Sequence, residues 1–84
     1  MDPPRLLKRL ARGDLANVSF RDIRALVEAF GFRPVRVSGS HHIFARPDVP
    51  ELINLQAVKG QAKPYQVRQF MRCVERYGLS LEEP

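Results

Sequence analysis

Between Phe32 and Gln56 the chain abandons helical spacing for alternation, and two turn signals cut that stretch into short runs. This change of period constrains the fold more than any other feature. F-R-P-V-R-V (32–37), H-H-I-F-A-R (41–46) and E-L-I-N-L-Q (51–56) read as strands. S-G-S (38–40) and P-D-V-P (47–50) separate them. Connections this short, one of them containing glycine, join antiparallel neighbours. Alternation puts Phe32, Pro34 and Arg36 on one side of the first run and Arg33, Val35 and Val37 on the other. Pro34 has no amide hydrogen to donate, which makes that run an edge strand.

Helical patterns flank this stretch. P-P-R-L-L-K-R-L-A-R-G carries prolines suited to a first turn, groups Leu6, Leu7, Leu10 and Ala11 on one side, and stops at Gly13. Ser19 then serves as an N-cap with Asp22 three residues on, an acidic variant of the capping box. Val18 and Ile23 occupy the staple positions. Phe20, Ile23, Val27 and Phe30 follow at helical spacing, with Leu26 beside them and Gly31 as the stop. After the strands, Pro64 opens a third helix whose stripe is Val67, Phe70, Met71, Val74 and Tyr77, with Gly78 as its cap.

The expected fold is therefore α+β: a three-stranded antiparallel sheet with helices packed on one face. Eighty-four residues make one domain with a small core. It divides into an N-terminal helical extension (1–18), a main domain (19–79) and a tail (80–84) expected to fray. The apolar and charged fractions, 44% and 27%, are those of a folded globular chain. No apolar run approaches the roughly 20 residues of a membrane span. The N-terminus is charged and lacks the apolar core of a signal peptide. Cys73 is the single cysteine, which suits a reducing compartment, and the expected location is cytoplasmic.

Fourteen Lys and Arg against nine Asp and Glu give a net charge of +5. Nucleic acid and an acidic protein are the ordinary partners of so basic a domain. Eleven of the fourteen cations are arginines, the better clamps for phosphate and carboxylate.

The only two histidines, His41 and His42, are adjacent and follow the S-G-S turn. On a strand they point to opposite faces, His41 with Ile43 and Ala45, His42 with Phe44 and Arg46. Such a pair converges poorly on one ion, and zinc wants three or four ligands, so no metal and no cofactor is expected. At least one histidine should reach solvent or a site, and an imidazole is the side chain that can take or give a proton at neutral pH. Next to a basic surface the fitting substrate is a phosphodiester; in RNA the 2′-hydroxyl supplies the nucleophile, so a ribonuclease needs a general base, a general acid and cations for the phosphate. Lys59 and Lys63 bracket Gly60 ahead of the third helix, whose N-terminus favours phosphate. Arg68, Arg72 and Arg76 continue as a cationic ridge at intervals of four. A solvated helix face is the ordinary explanation for such a ridge, and the lysines turn it into a candidate strip for RNA backbone.

A helix, three antiparallel strands and a helix opened by lysines looks like the double-stranded-RNA-binding domain, which reads RNA by shape. G-S-H-H-I-F, then V-P-E-L-I-N-L-Q and V-K-G-Q-A-K-P-Y-Q-V-R-Q-F, more closely resembles the HicA (YcfA-like) family of toxin mRNA interferases. The likeness runs from about Phe20 to Leu79. It implies a small bacterial endoribonuclease that cleaves mRNA without a metal and is covered by a cognate HicB-type antitoxin. The family's catalytic histidine follows Gly-Ser and maps onto His41, with Gly39 and Ser40 shaping the turn that presents it. The candidate RNA-binding residues are Gly39, Ser40, His42, Lys59, Lys63, Tyr65, Arg68 and Arg72. Many members carry a further histidine near the end of the third strand, where this chain has Gln56. Gln56 cannot transfer protons, and His42, Lys59 and Tyr65 are the candidates for that part. The alternative from a different class is an RNA-binding module that does no chemistry.

Overall fold

The computed structural model describes residues 1–82. Three helices, α1 (Pro3–Ala11), α2 (Phe20–Ala29) and α3 (Pro64–Arg76), accompany four strands, β1 (Arg33–Ser38), β2 (His41–Arg46), β3 (Val49–Val58) and β4 (Gln61–Ala62). The strands form one antiparallel sheet in the order β1-β2-β3-β4. The result is an α+β fold of the double-stranded-RNA-binding type, enlarged by the short β4.

Local chemistry sets the helix boundaries. Ser19 Oγ accepts from the Asp22 amide at 3.1 Å and caps α2. Asp2 caps α1 in the same way, through the Arg5 amide. Pro64 occupies the first turn of α3 after Lys63, which makes no side-chain cap.

The core lies between the helices and the sheet face carrying Phe44, Ile53 and Leu55. Phe70 of α3 meets Phe30 and Phe32 edge-on, with centroids 5.5 and 6.1 Å apart. Edge-to-face pairs of this kind add to the burial of the rings themselves. Leu6 and Leu10 of α1 enter the same cluster, so the N-terminal helix shares the core of the main domain. Cys73 is buried there too, beside Phe70 on the core side of α3.

The strands depart from the sequence reading in three places. Pro34 pairs with Phe44 and Arg36 with Ile43, so Val35 is an extra, bulged residue. The bulge breaks the alternation: Arg36 joins the helix-free face and Val37 moves to the face of His42. The third strand is longer than E-L-I-N-L-Q, because the turn uses only Pro47 and Asp48. Arg46 spans that turn to Asp48 at 2.7 Å and donates to the Phe30 carbonyl at the end of α2. Finally, Lys59 and Gly60 form a hairpin turn that returns the chain as β4. Both have positive φ, 52° and 76°, as a type I′ turn requires.

The tail, expected to fray, is tied down as far as Glu82. Leu79 and Leu81 pack on the core, and the Glu82 amide donates to the Ala29 carbonyl at 2.9 Å. Residues 83–84 lie outside the described part.

Candidate functional site on the open sheet face

The β1–β2 turn is Gly39-Ser40, with Ser38 already paired to His41. Gly39 has φ +60° at the first central position, the glycine requirement of a type II′ hairpin turn. His41 is therefore the first residue of β2 and sits opposite Gln56 of β3. Its side chain projects on the helix-free face, where Ile43 and Asn54 form the next cross-strand pair.

Two hydrogen bonds organise this face. His41 Nδ1 lies 3.2 Å from Asn54 Oδ1, and Gln56 Nε2 donates to Ser40 Oγ at 3.2 Å. His41 Nε2 has no protein partner among the described residues. A nitrogen so placed accepts or returns a proton without first breaking a protein hydrogen bond.

His42 takes the opposite face, as strand geometry demands. Its ring packs against Phe20 at the start of α2, with centroids 4.7 Å apart. The structure thus separates the two histidines and leaves His42 out of the group around His41.

The lysines gather at the same end of the molecule. The Phe20 amide donates to the Gly60 carbonyl and Ser19 bridges Gln61, so the Lys59-Gly60 turn adjoins the start of α2. Lys59 is exposed at the turn, and Lys63 stands one residue before α3 with its Nζ 6.0 Å from the Tyr65 ring centroid. The Tyr65 hydroxyl accepts from Gln66 Nε2, and Gln66 Oε1 accepts from the Gln56 amide at 2.7 Å. A continuous line of contacts therefore joins Ser40, Gln56, Gln66 and Tyr65.

The arginine ridge is only partly available. Arg76 is bound to Glu51 at 2.6 Å. The Tyr77 hydroxyl, and after it the Arg76 guanidinium, hold the Glu51 carboxyl below the usual carboxylate range. Arg68 is exposed on the second turn of α3. Arg72 lines a cleft of about 330 Å³ between α3 and β3, which also has Asn54, Gln66 and Gln69 in its wall. Burial raises the pKa of the Cys73 thiol, which keeps it protonated and inert. Among the described residues no three His, Cys, Asp or Glu side chains come together as a metal site.

Asn54 and Gln66 escape a reading of the sequence. Asn54 left a trace, because Asn54 and Gln56 alternate with buried Ile53 and Leu55 and therefore share a face. Gln66 left none, since its place next to the apolar stripe marks it as an ordinary polar helix residue.

Fold and site together define a small α+β domain of the double-stranded-RNA-binding type, with a histidine-centred polar cluster on its open sheet face. The model of the family described as "HicA toxin of bacterial toxin-antitoxin" matches residues 20–75. The chain belongs to the HicA toxin family of toxin–antitoxin systems, and this membership implies an antitoxin partner. No curated protein and no solved structure matches it. No helix of the described residues is long and apolar enough to cross a membrane.

Proposed function

We propose that this toxin is a metal-independent endoribonuclease that cleaves mRNA, with His41 as its general acid/base. The observation that carries the reading is the environment of His41: Nδ1 held by Asn54 and, among the described residues, Nε2 without a protein partner on a sheet face that no helix covers. In the reaction Nε2 takes the proton of a 2′-hydroxyl, and the 2′-oxygen attacks the adjacent phosphorus. The bond from phosphorus to the 5′-oxygen breaks and leaves a 2′,3′-cyclic phosphate. No second titratable side chain is hydrogen-bonded to His41 among the described residues, so the leaving 5′-oxygen is assigned a proton from solvent. Positioned acid–base groups contribute roughly 10²–10⁴-fold each, enough for a slow nuclease.

Lys59 and Lys63 supply positive charge for the RNA backbone, Arg68 and Arg72 extend it along α3, and Tyr65 offers a half-exposed ring on which a base can stack. Gly39 and Ser40 form the turn that presents His41 at the start of β2. A HicB-type antitoxin with an acidic surface is attracted by the same charge and inhibits by covering His41. The toxin acts where mRNA is translated, in the cytoplasm.

The test is induced expression in a bacterial host, wild type beside His41→Ala, with growth and mRNA integrity followed. Arrest and mRNA fragmentation with wild type alone supports the reading. Equal growth with both soluble, folded proteins refutes it in favour of an RNA-binding module. Cleavage by purified protein in the presence of a chelator tests the metal independence.

A further inference from the structure

We propose that Asn54 is a positioning residue for His41, whose side-chain oxygen holds the ring proton on Nδ1 and so leaves the lone pair on Nε2. This rests on the reading of His41 as the proton-transfer group.

The pairing of β2 with β3 places Asn54 one step diagonal to His41 on the helix-free face. Diagonal neighbours lie within reach of long side chains, and here the two polar atoms stand at 3.2 Å. A neutral imidazole has one donor and one acceptor nitrogen, so an oxygen at Nδ1 fixes the proton there. The partner of one ring nitrogen decides what the other can do. Without Asn54 the ring is free to rotate and to protonate Nε2, which would point a donor where the reaction needs a base.

Asn54 is itself held. The amide of Gln56, two residues on, is bonded to the buried Gln66, and the Gln56 side chain is bonded to Ser40. The first fixes β3 against α3, and the second fixes it against the turn that opens β2. Asparagine is depleted in strands, and the exposed Asn54 contributes nothing to the core. Its hydrogen bond to His41 accounts for its presence in the middle of a strand.

An amide orients without adding charge, which separates its role from that of a carboxylate. Asn54→Asp therefore keeps the ring orientation but favours the protonated ring, moving the rising limb of the pH–rate profile to higher pH. Asn54→Leu removes the orientation, and kcat should fall about 10–100-fold, by analogy with the loss of the partner that orients a metal-bound histidine. KM for RNA should hold, because Asn54 carries no charge for phosphate.

The deciding experiment is nitrogen NMR of protein labelled in the imidazole rings, at a pH where His41 is neutral, for wild type, Asn54→Leu and Asn54→Asp. The expected result is a protonated Nδ1 and an unprotonated Nε2 in wild type and Asn54→Asp, and loss of that preference in Asn54→Leu. A protonated Nε2 in wild type, or the same tautomer in Asn54→Leu, overturns the proposal. So does an unchanged kcat in Asn54→Leu beside an active wild type. A folded protein with the expected tautomers and no cleavage overturns the ribonuclease reading and leaves the hydrogen bond standing.

Discussion

Gln66 of α3 receives the backbone amide of Gln56 at 2.7 Å, and in doing so closes part of the edge that β3 leaves open beyond the short β4. Gln66 is 2% exposed and is the one buried polar side chain among the described residues. Its second contact, to the Tyr65 hydroxyl, ties the same point to the first turn of α3. One side chain thus registers the strand bearing Asn54 against the helix opened by Lys63.

Gln66→Leu should lower stability by about 1–3 kcal/mol, because it leaves the part-buried Gln56 amide without a protein acceptor. For a domain of this size each kcal/mol is worth about 4–8 °C in Tm. Thermal denaturation of the variant beside wild type checks it, and an unchanged Tm would mean that water replaces the amide oxygen.

His42 and His41 should respond differently to the same substitution. His42→Ala loses its ring contact with Phe20, a pair worth about 0.5–1.5 kcal/mol, and should lower Tm while the folded protein keeps its cleavage rate. His41→Ala should keep Tm and lose cleavage. Denaturation curves and cleavage assays of both proteins decide the matter, and a shared phenotype would contradict the separation of the two faces.

Lys59 sits at φ 52°, a conformation that asparagine tolerates better than lysine. Lys59→Asn should therefore gain stability, by part of the roughly 1–2 kcal/mol that the left-handed conformation costs an ordinary residue, and RNA affinity should fall with a salt slope shallower by roughly 0.7. Stability and binding moving in opposite directions is the signature; parallel losses would place the lysine in the fold rather than at the phosphate.

Glu51 has a lowered pKa through Tyr77 and Arg76. A carboxyl lowered in the native state binds fewer protons there than in the unfolded chain. Its contribution is complete above the ordinary carboxylate value and disappears as pH falls through the lowered native one. Tyr77, raised by its bond to Glu51, works in the other direction: its share is complete below the ordinary tyrosine value and is lost as pH rises through the raised one. Tm measured against pH for wild type and Glu51→Gln should differ at neutral pH and converge in acid. A constant gap would point to packing instead of charge.

The helices, the first two strands and the opposition of His41 to His42 are legible in the sequence, because each follows from a repeat of 3.6 or 2 and from Gly, Pro and Ser at its ends. The bulge at Val35 is not legible, since an extra residue shows only against a partner strand. β4 has two residues, too few for any period, and exists because the Lys59-Gly60 turn folds it onto Ala57 and Val58. The site was half legible for the same reason. Lys59, Lys63 and His41 carry charge or proton chemistry in their identity, whereas Asn54 acquires its part only from a diagonal register that pairing creates.

The sharing of one core by α1, the main domain and the tail has a consequence for how such chains are cut. The stretch that marks the family begins at Phe20 and ends at residue 75. Leu6 and Leu10 lie ahead of it, and Leu79 and Leu81 beyond it, all packed on the same cluster. A fragment trimmed to the recognisable stretch would present the side of α2 that α1 covers as bare hydrocarbon to water. The smallest unit that can be made, stored and assayed is therefore longer than the smallest unit that can be recognised.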